Sequence, residues 1–128
     1  MKKIIADSGC DLKTLKFNTD DICYEQVAFK INVGDRVYVD DVNLDIAALM
    51  NDLSGSKEKS CSACPSPQDW LNAYGDADEI YVFATSGTLS GSHNSAVLAA
   101  EILRETSPAA RVYIMDTLAI GGVLGLLV

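Results

Sequence analysis

Three short apolar runs in this chain each close on acidic or hydroxyl residues: Lys3 to Ala6 on Asp7-Ser8-Gly9, Glu79 to Thr85 on Thr85-Ser86, and Arg111 to Asp116 on Asp116-Thr117. Runs that short and that apolar fit parallel strands buried on both faces. Helical patterns separate or follow them. Asp45 to Leu53 puts Ile46, Leu49, Met50 and Leu53 on one face. Ser66-Pro67-Gln68-Asp69 opens a second helix, because Ser can cap, Pro suits the first helical position and Asp favours the first turn. Trp70, Leu71 and Tyr74 give that helix a buried face, and a third runs from Ser92 to Glu105. The alternation predicts an α/β domain, a three-layer arrangement with a parallel sheet and helices on both faces. Ile22 to Val33 and Arg36 to Asp40 alternate around Gly34-Asp35, which predicts an inserted β-hairpin. The polar stretch Ser54 to Ser60 is read as a loop.

In such sheets ligands sit beyond the carboxyl ends of the strands, so the closing residues matter most. The richest of them is Thr85-Ser86-Gly87-Thr88-Leu89-Ser90-Gly91-Ser92, which leads straight into the third helix. Hydroxyls and backbone N–H groups at a helix N-terminus, with the positive end of the helix dipole, suit a phosphate or carboxylate. The same composition also serves as an ordinary helix start; its length and glycine content favour a ligand site.

Charge narrows the partners. The 128 residues carry 18 acidic and 10 basic side chains, a formal charge of -8, and no basic cluster longer than Lys2-Lys3. Nucleic acid and anionic membrane surfaces would need a basic patch, so neither is expected. No apolar run has signal-peptide or membrane-spanning length, so a cytoplasmic protein without integral membrane contact is expected. Hydrophobic residues make up 48% of the chain, enough for one core and one domain. The terminal run Leu118 to Val128 either packs under the sheet or belongs to a chain that continues, and the second reading is favoured.

Other chemistry finds less support. Cys61-Ser62-Ala63-Cys64 has the spacing of a redox pair or half a zinc site, yet no second pair exists, His93 is the only histidine, and Pro65-Ser66-Pro67 separates it from the helix it should open. Reduced thiols in a loop are the simpler reading. Ser90 and His93 do not sit in a G-x-S-x-G elbow, and no dinucleotide or P-loop glycine motif occurs. Asp7, Asp11 and Asp116 form no metal motif and read as turn and cap residues. No metal or cofactor is expected.

Five motifs in order resemble the DegV (EDD domain) family: Ala6 to Leu12 (ADSGCDL), Val37 to Asp41 (VYVDD), Ser62 to Pro67 (SACPSP), the stretch TSGTLSGSHNSA from Thr85, and Asp116 to Val128. The resemblance implies a protein that binds one long-chain fatty acid between two domains and, in some members, presents it to a fatty acid kinase without catalysing alone. It covers the N-terminal domain, residues 1–128, and implies a C-terminal domain outside this chain. Carried over by position, it implies Ser62 and the pair Ser86-Gly87 at the carboxylate, with Thr88 beside them; from the strand end and the loop, Asp7, Ser8, Ser90, Gly91 and Ser92 are candidates for a supporting role. Gly87 stands where the family has a second serine, and Cys64 and His93 replace a glutamine and a tyrosine. Two alternatives stay open: a small enzyme or binder for another anionic metabolite at the same loop, and a thiol redox switch at Cys61 and Cys64.

Overall fold

A computed structural model describes all 128 residues. Four parallel strands, β1 (Lys2–Asp7), β2 (Ile22–Val27), β6 (Glu79–Ala84) and β7 (Arg111–Asp116), form the main sheet in the order β2-β1-β6-β7. Alternate residues of β6 divide its two faces: Ile80, Val82 and Ala84 are buried, whereas Tyr81 and Phe83 are partly covered. The first face carries the main core, under α2 (Pro67–Tyr74) and α3 (Ser92–Thr106). Trp70 and Tyr74 of α2 are fully buried there, and the Tyr74 hydroxyl donates to the carbonyl of Ala96 at 2.7 Å. Ser66 caps α2 as its sequence position predicts, and the Asp69 side chain returns the bond to the Ser66 backbone, completing a capping box. The other face is covered by a 3-10 turn at Ser8–Cys10 and by α4 (Gly122–Leu127), whose Leu124 packs with Ala6 and Cys10. Gly125 permits this approach, since a Cβ there would stand 2.7 Å from the Cys10 carbonyl oxygen. Helices thus lie on both faces.

The inserted hairpin is larger than expected. The stretch from Ile22 to Val33 breaks at Ala28-Phe29, so that β2 joins the main sheet while β3 (Lys30–Val33) starts a second one. β3 pairs antiparallel with β4 (Arg36–Val39) across Gly34-Asp35, where Gly34 has a positive φ of 56°. On its other edge β3 pairs with β5 (Ser60–Ala63), residues read from the sequence as loop. Helix α1 (Ile46–Gly55), whose Leu49 is buried, is tied to this small sheet through Asp52, which accepts from Arg36 and the Tyr38 hydroxyl. Its Ile46 and Met50 are more than half exposed, so the expected four-residue apolar face is buried only at Leu49. No helix is long and apolar enough to cross a membrane.

Candidate functional site

The chain leaves β1 for β2 on one side of the sheet, while β6 lies on the other. The carboxyl ends of β1 and β6 therefore flank a topological switch point, where a crevice opens in sheets of this kind. Asp7, the last residue of β1, fills the base of that crevice and is fully buried. Its Oδ1 accepts from Gly9 N at 3.1 Å and Thr85 Oγ1 at 2.7 Å; its Oδ2 accepts from Thr85 N at 2.7 Å and Ser92 Oγ at 2.6 Å. Four donors offset the desolvation of a buried carboxylate. They also tie the ends of two strands to the start of α3. Asp7 is thus a structural hub, where the sequence suggested a turn residue.

The small sheet closes the crevice from above. Ser8 Oγ accepts from the Phe29 backbone N–H at 2.9 Å, fixing the link between the two sheets. Ile31 and Ser62 are cross-strand partners on β3 and β5, so their side chains share one face, the face toward the main sheet. Beneath it lies a hollow of about 320 Å³ walled by Ser62, Cys64, Thr85, Ser90 and Gly91 and by the apolar Phe29, Leu89 and Ile120. A second hollow of about 340 Å³ shares Phe29, Ser62 and Ile120 with it and extends past Ser8, Gly9, Asp11, Ile31, Asp40 and Gly121. The two read as one groove with different ends. The first end has hydroxyls and no acidic side chain; the second has Asp11 and Asp40, the latter paired with Lys13. A larger, polar hollow of about 460 Å³ lies elsewhere, at the β3–β4 turn and the end of α1, and includes none of these residues.

The expected site residues divide into three groups. Ser62, Ser90 and Gly91 border the first hollow, and Ser8 the second. Asp7 and Ser92 lie beneath, bonded to each other. Ser86, Gly87 and Thr88 border neither. The Ser86 N–H donates to Ala119 O at 3.0 Å, its carbonyl accepts from Leu89 N and Ser90 N, and its hydroxyl is 2.8 Å from that of Thr88. The Gly87 N–H is taken by Asp116 Oδ1 at 3.1 Å, and a Cβ on Gly87 would stand 3.2 Å from Asp116 Oδ2. A serine at this position would crowd that carboxylate. Phe29, Ile31, Leu89 and Ile120 give the groove its apolar walls and were not picked out from the sequence. Phe29 and Ile31 sat inside a supposed continuous strand, and Ile120 inside a terminal run already conspicuous for lacking cover.

The two thiols of the Cys61 to Cys64 segment lead apart. Cys61 Sγ accepts from Asn32 Nδ2 at 3.7 Å, whereas Cys64 lines the first hollow beside Gly91. All four cysteines are free. Along an extended strand the two Cα atoms are roughly 10 Å apart, beyond the span of a disulfide. The redox pair suggested by the spacing therefore has no geometry to close.

Residues 1–128 match the family described as "Uncharacterised protein, DegV family". A DegV domain-containing protein of Streptococcus pneumoniae is 45% identical over 126 residues, covering 98% of this chain and 45% of that protein. Another, from Streptococcus gordonii, is 42% identical over the same span and coverage. Among solved structures, the Streptococcus pneumoniae Fatty Acid Kinase (Fak) B3 protein loaded with linoleic acid superposes with a TM-score of 0.94 at 44% identity, over 98% of this chain and 45% of the other. A DegV family protein from Eubacterium eligens loaded with heptadecanoic acid gives 0.90 at 32% identity, over 99% and 45%. This chain spans about 45% of the length of the curated relatives it matches. With the family match running from the first residue to the last, the chain belongs to the DegV family.

Proposed function

We propose that this chain is the N-terminal domain of a fatty-acid carrier and that it holds the carboxylate end of a long-chain fatty acid in the groove between its two sheets. The observation that carries the proposal is the composition of the first hollow, where hydroxyls of Ser62 and Ser90 face apolar Phe29, Leu89 and Ile120 with no acidic side chain in the wall. In a protein of net charge -8, an anion is repelled from most of the surface, and the acid-free end of the groove is where it costs least to bring one. The N-terminus of α3 adds a favourable dipole. The tail then runs along Phe29, Ile120 and Ile31, each buried CH₂ contributing roughly 0.8 kcal/mol. Ser86, Gly87 and Thr88 brace the loop from behind through Asp116 and Ala119. The second half of the acyl tunnel belongs to a C-terminal domain outside these residues. The kinship with a fatty acid kinase B protein supports delivery of the bound acid to a kinase, with no chemistry by this chain alone.

Ser62→Ala in the protein that carries this chain tests the reading. Loss of about 1 to 3 kcal/mol of fatty-acid affinity is expected, the cost of an unpaired acceptor. Unchanged affinity removes Ser62 from the site.

A further inference from the structure

The arm of the groove that receives the tail is more polar than a hydrocarbon needs. Ser8 borders this second hollow and is only 1% exposed. Its Oγ accepts from the Phe29 backbone N–H at 2.9 Å, while its own O–H meets no acceptor in the protein. Two carboxylates border the same hollow. Asp40 is taken by the Lys13 ammonium, which donates to it. Asp11 has no such partner; its side chain receives no hydrogen bond from the protein, and one of its oxygens lies toward Gly121, 3.6 Å from where a Cβ would stand. The hollow thus holds one unspent donor, buried, and one unspent acceptor on its exposed side. A plain hydrocarbon tail lying there strands the Ser8 proton and strips water from Asp11 without replacing either bond.

A hydroxyl on the tail satisfies both groups at once. Its oxygen accepts from Ser8, and its proton goes to Asp11 in a charge-assisted bond. We infer that the second hollow is a subsite for an oxygenated acyl chain, a fatty acid hydroxylated part-way along its tail, with Ser8 as the donor to that hydroxyl and Asp11 as its acceptor. This inference rests on the fatty-acid reading and adds to it the class of tail. It also accounts for the uneven distribution of acid along the groove: carboxylates are absent where the head group sits and present where a neutral hydroxyl can use one. A ketone at the same carbon accepts from Ser8 but has no proton for Asp11 and turns its lone pairs toward that carboxylate. Alcohols are therefore preferred over ketones with the same chain.

The test measures displacement of a fluorescent fatty acid from the protein that carries this chain. The competitors are stearic acid, hydroxystearic acids with the hydroxyl at successive mid-chain carbons, and the matching oxostearic acids. At least one hydroxy acid is expected to bind as tightly as stearic acid or more tightly, and about fivefold or more better than its oxo counterpart; in a tunnel built for hydrocarbon alone, burying the hydroxyl would weaken binding by about tenfold. Asp11→Gly removes the carboxylate and suits the left-handed backbone at φ 60°; it is expected to lower the hydroxy-to-stearic affinity ratio by about tenfold. Ser8→Ala is expected to lower the same ratio, with its melting temperature followed separately because the Phe29 N–H loses its acceptor; if that variant does not fold, Asp11→Gly decides. The subsite is overturned, with fatty-acid binding left standing, if no hydroxy acid binds or matches stearic acid, if the oxo acids bind as well as the hydroxy acids, or if Asp11→Gly leaves the ratio unchanged. Failure of the unaltered protein to take up linoleic acid or any of these competitors overturns the fatty-acid reading and this inference with it.

Discussion

Asp7 and Ser92 lie 85 residues apart in sequence and 2.6 Å apart in space, the carboxylate at the end of the first strand receiving the hydroxyl that opens the third helix. Through this contact one buried acid sets both the loop and the crevice beside it. Asp7→Ala leaves the Thr85 N–H, the Thr85 and Ser92 hydroxyls and the Gly9 N–H without their acceptor. A loss of about 3 kcal/mol or more is expected, measurable as a lower urea midpoint. A midpoint within experimental scatter of the parent would remove Asp7 as the hub.

Gly9 is constrained by the same hub. A Cβ there would collide with Thr85 Oγ1 and stand 2.9 Å from Asp7 Oδ1. Gly9→Ala is expected to destabilise by about 1 to 3 kcal/mol, as overpacking does, and to weaken fatty-acid binding in parallel. Equal stability in thermal unfolding would mean that the loop has slack the distances do not suggest.

Four acidic groups give the fold a defined response to acid. Asp69 is held below the usual carboxylate range by its hydrogen bonds from Ser66, Asp52 by Tyr38 and then Arg36, Asp78 by the N-terminal amine, and Glu79 by Lys2. Each has a folded pKa below its unfolded one, so each contributes stability that is complete above the unfolded values near about 4 and is lost as pH falls through the lower folded values. Urea midpoints are expected to hold between about pH 7 and 5 and to fall below about pH 4. Midpoints that rise on acidification would reverse the sign. Ser66→Ala should cost about 1 kcal/mol at neutral pH and flatten part of this acid limb.

Cys64 offers a reporter for the groove. It lines the first hollow, whereas Cys61 is exposed on β5 and bonded to Asn32. Bound linoleic acid is expected to slow maleimide labelling of Cys64 and leave Cys61 unaffected, as read by peptide mass mapping. Equal rates with and without lipid would put the ligand elsewhere. A disulfide between the two after mild oxidation would contradict the extended β5.

The parts of the fold that were legible in the sequence are those where one periodicity governs. β6, β7 and α3 appear within a residue of where apolar spacing put them, and α2 begins where Ser66, Pro67 and Asp69 announce it. β5 escaped notice because Ser60, Cys61, Ser62 and Ala63 include no β-branched or aromatic residue; they are extended because β3 presents an edge that pairs them. Of the apolar face assigned to α1 only Leu49 is buried, while Ile46 and Met50 stand exposed and Asp52, three residues after Leu49, ties the helix to the small sheet through Arg36 and Tyr38. For the site, composition identified the loop, and only the resemblance to the DegV family brought in Ser62. Which loop hydroxyls line the groove depended on the long-range bonds from Thr85 and Ser92 to Asp7, which no local pattern encodes.

The most direct measurement is a native mass spectrum of the purified protein that carries this chain, recorded without added lipid and again after incubation with linoleic acid. Fatty-acid carriage requires a species heavier by one fatty acid that returns to the bare mass on collisional activation. A protein that is bare as purified and stays bare with linoleic acid would contradict the account and direct attention to a different anion at the Ser62–Ser90 hollow.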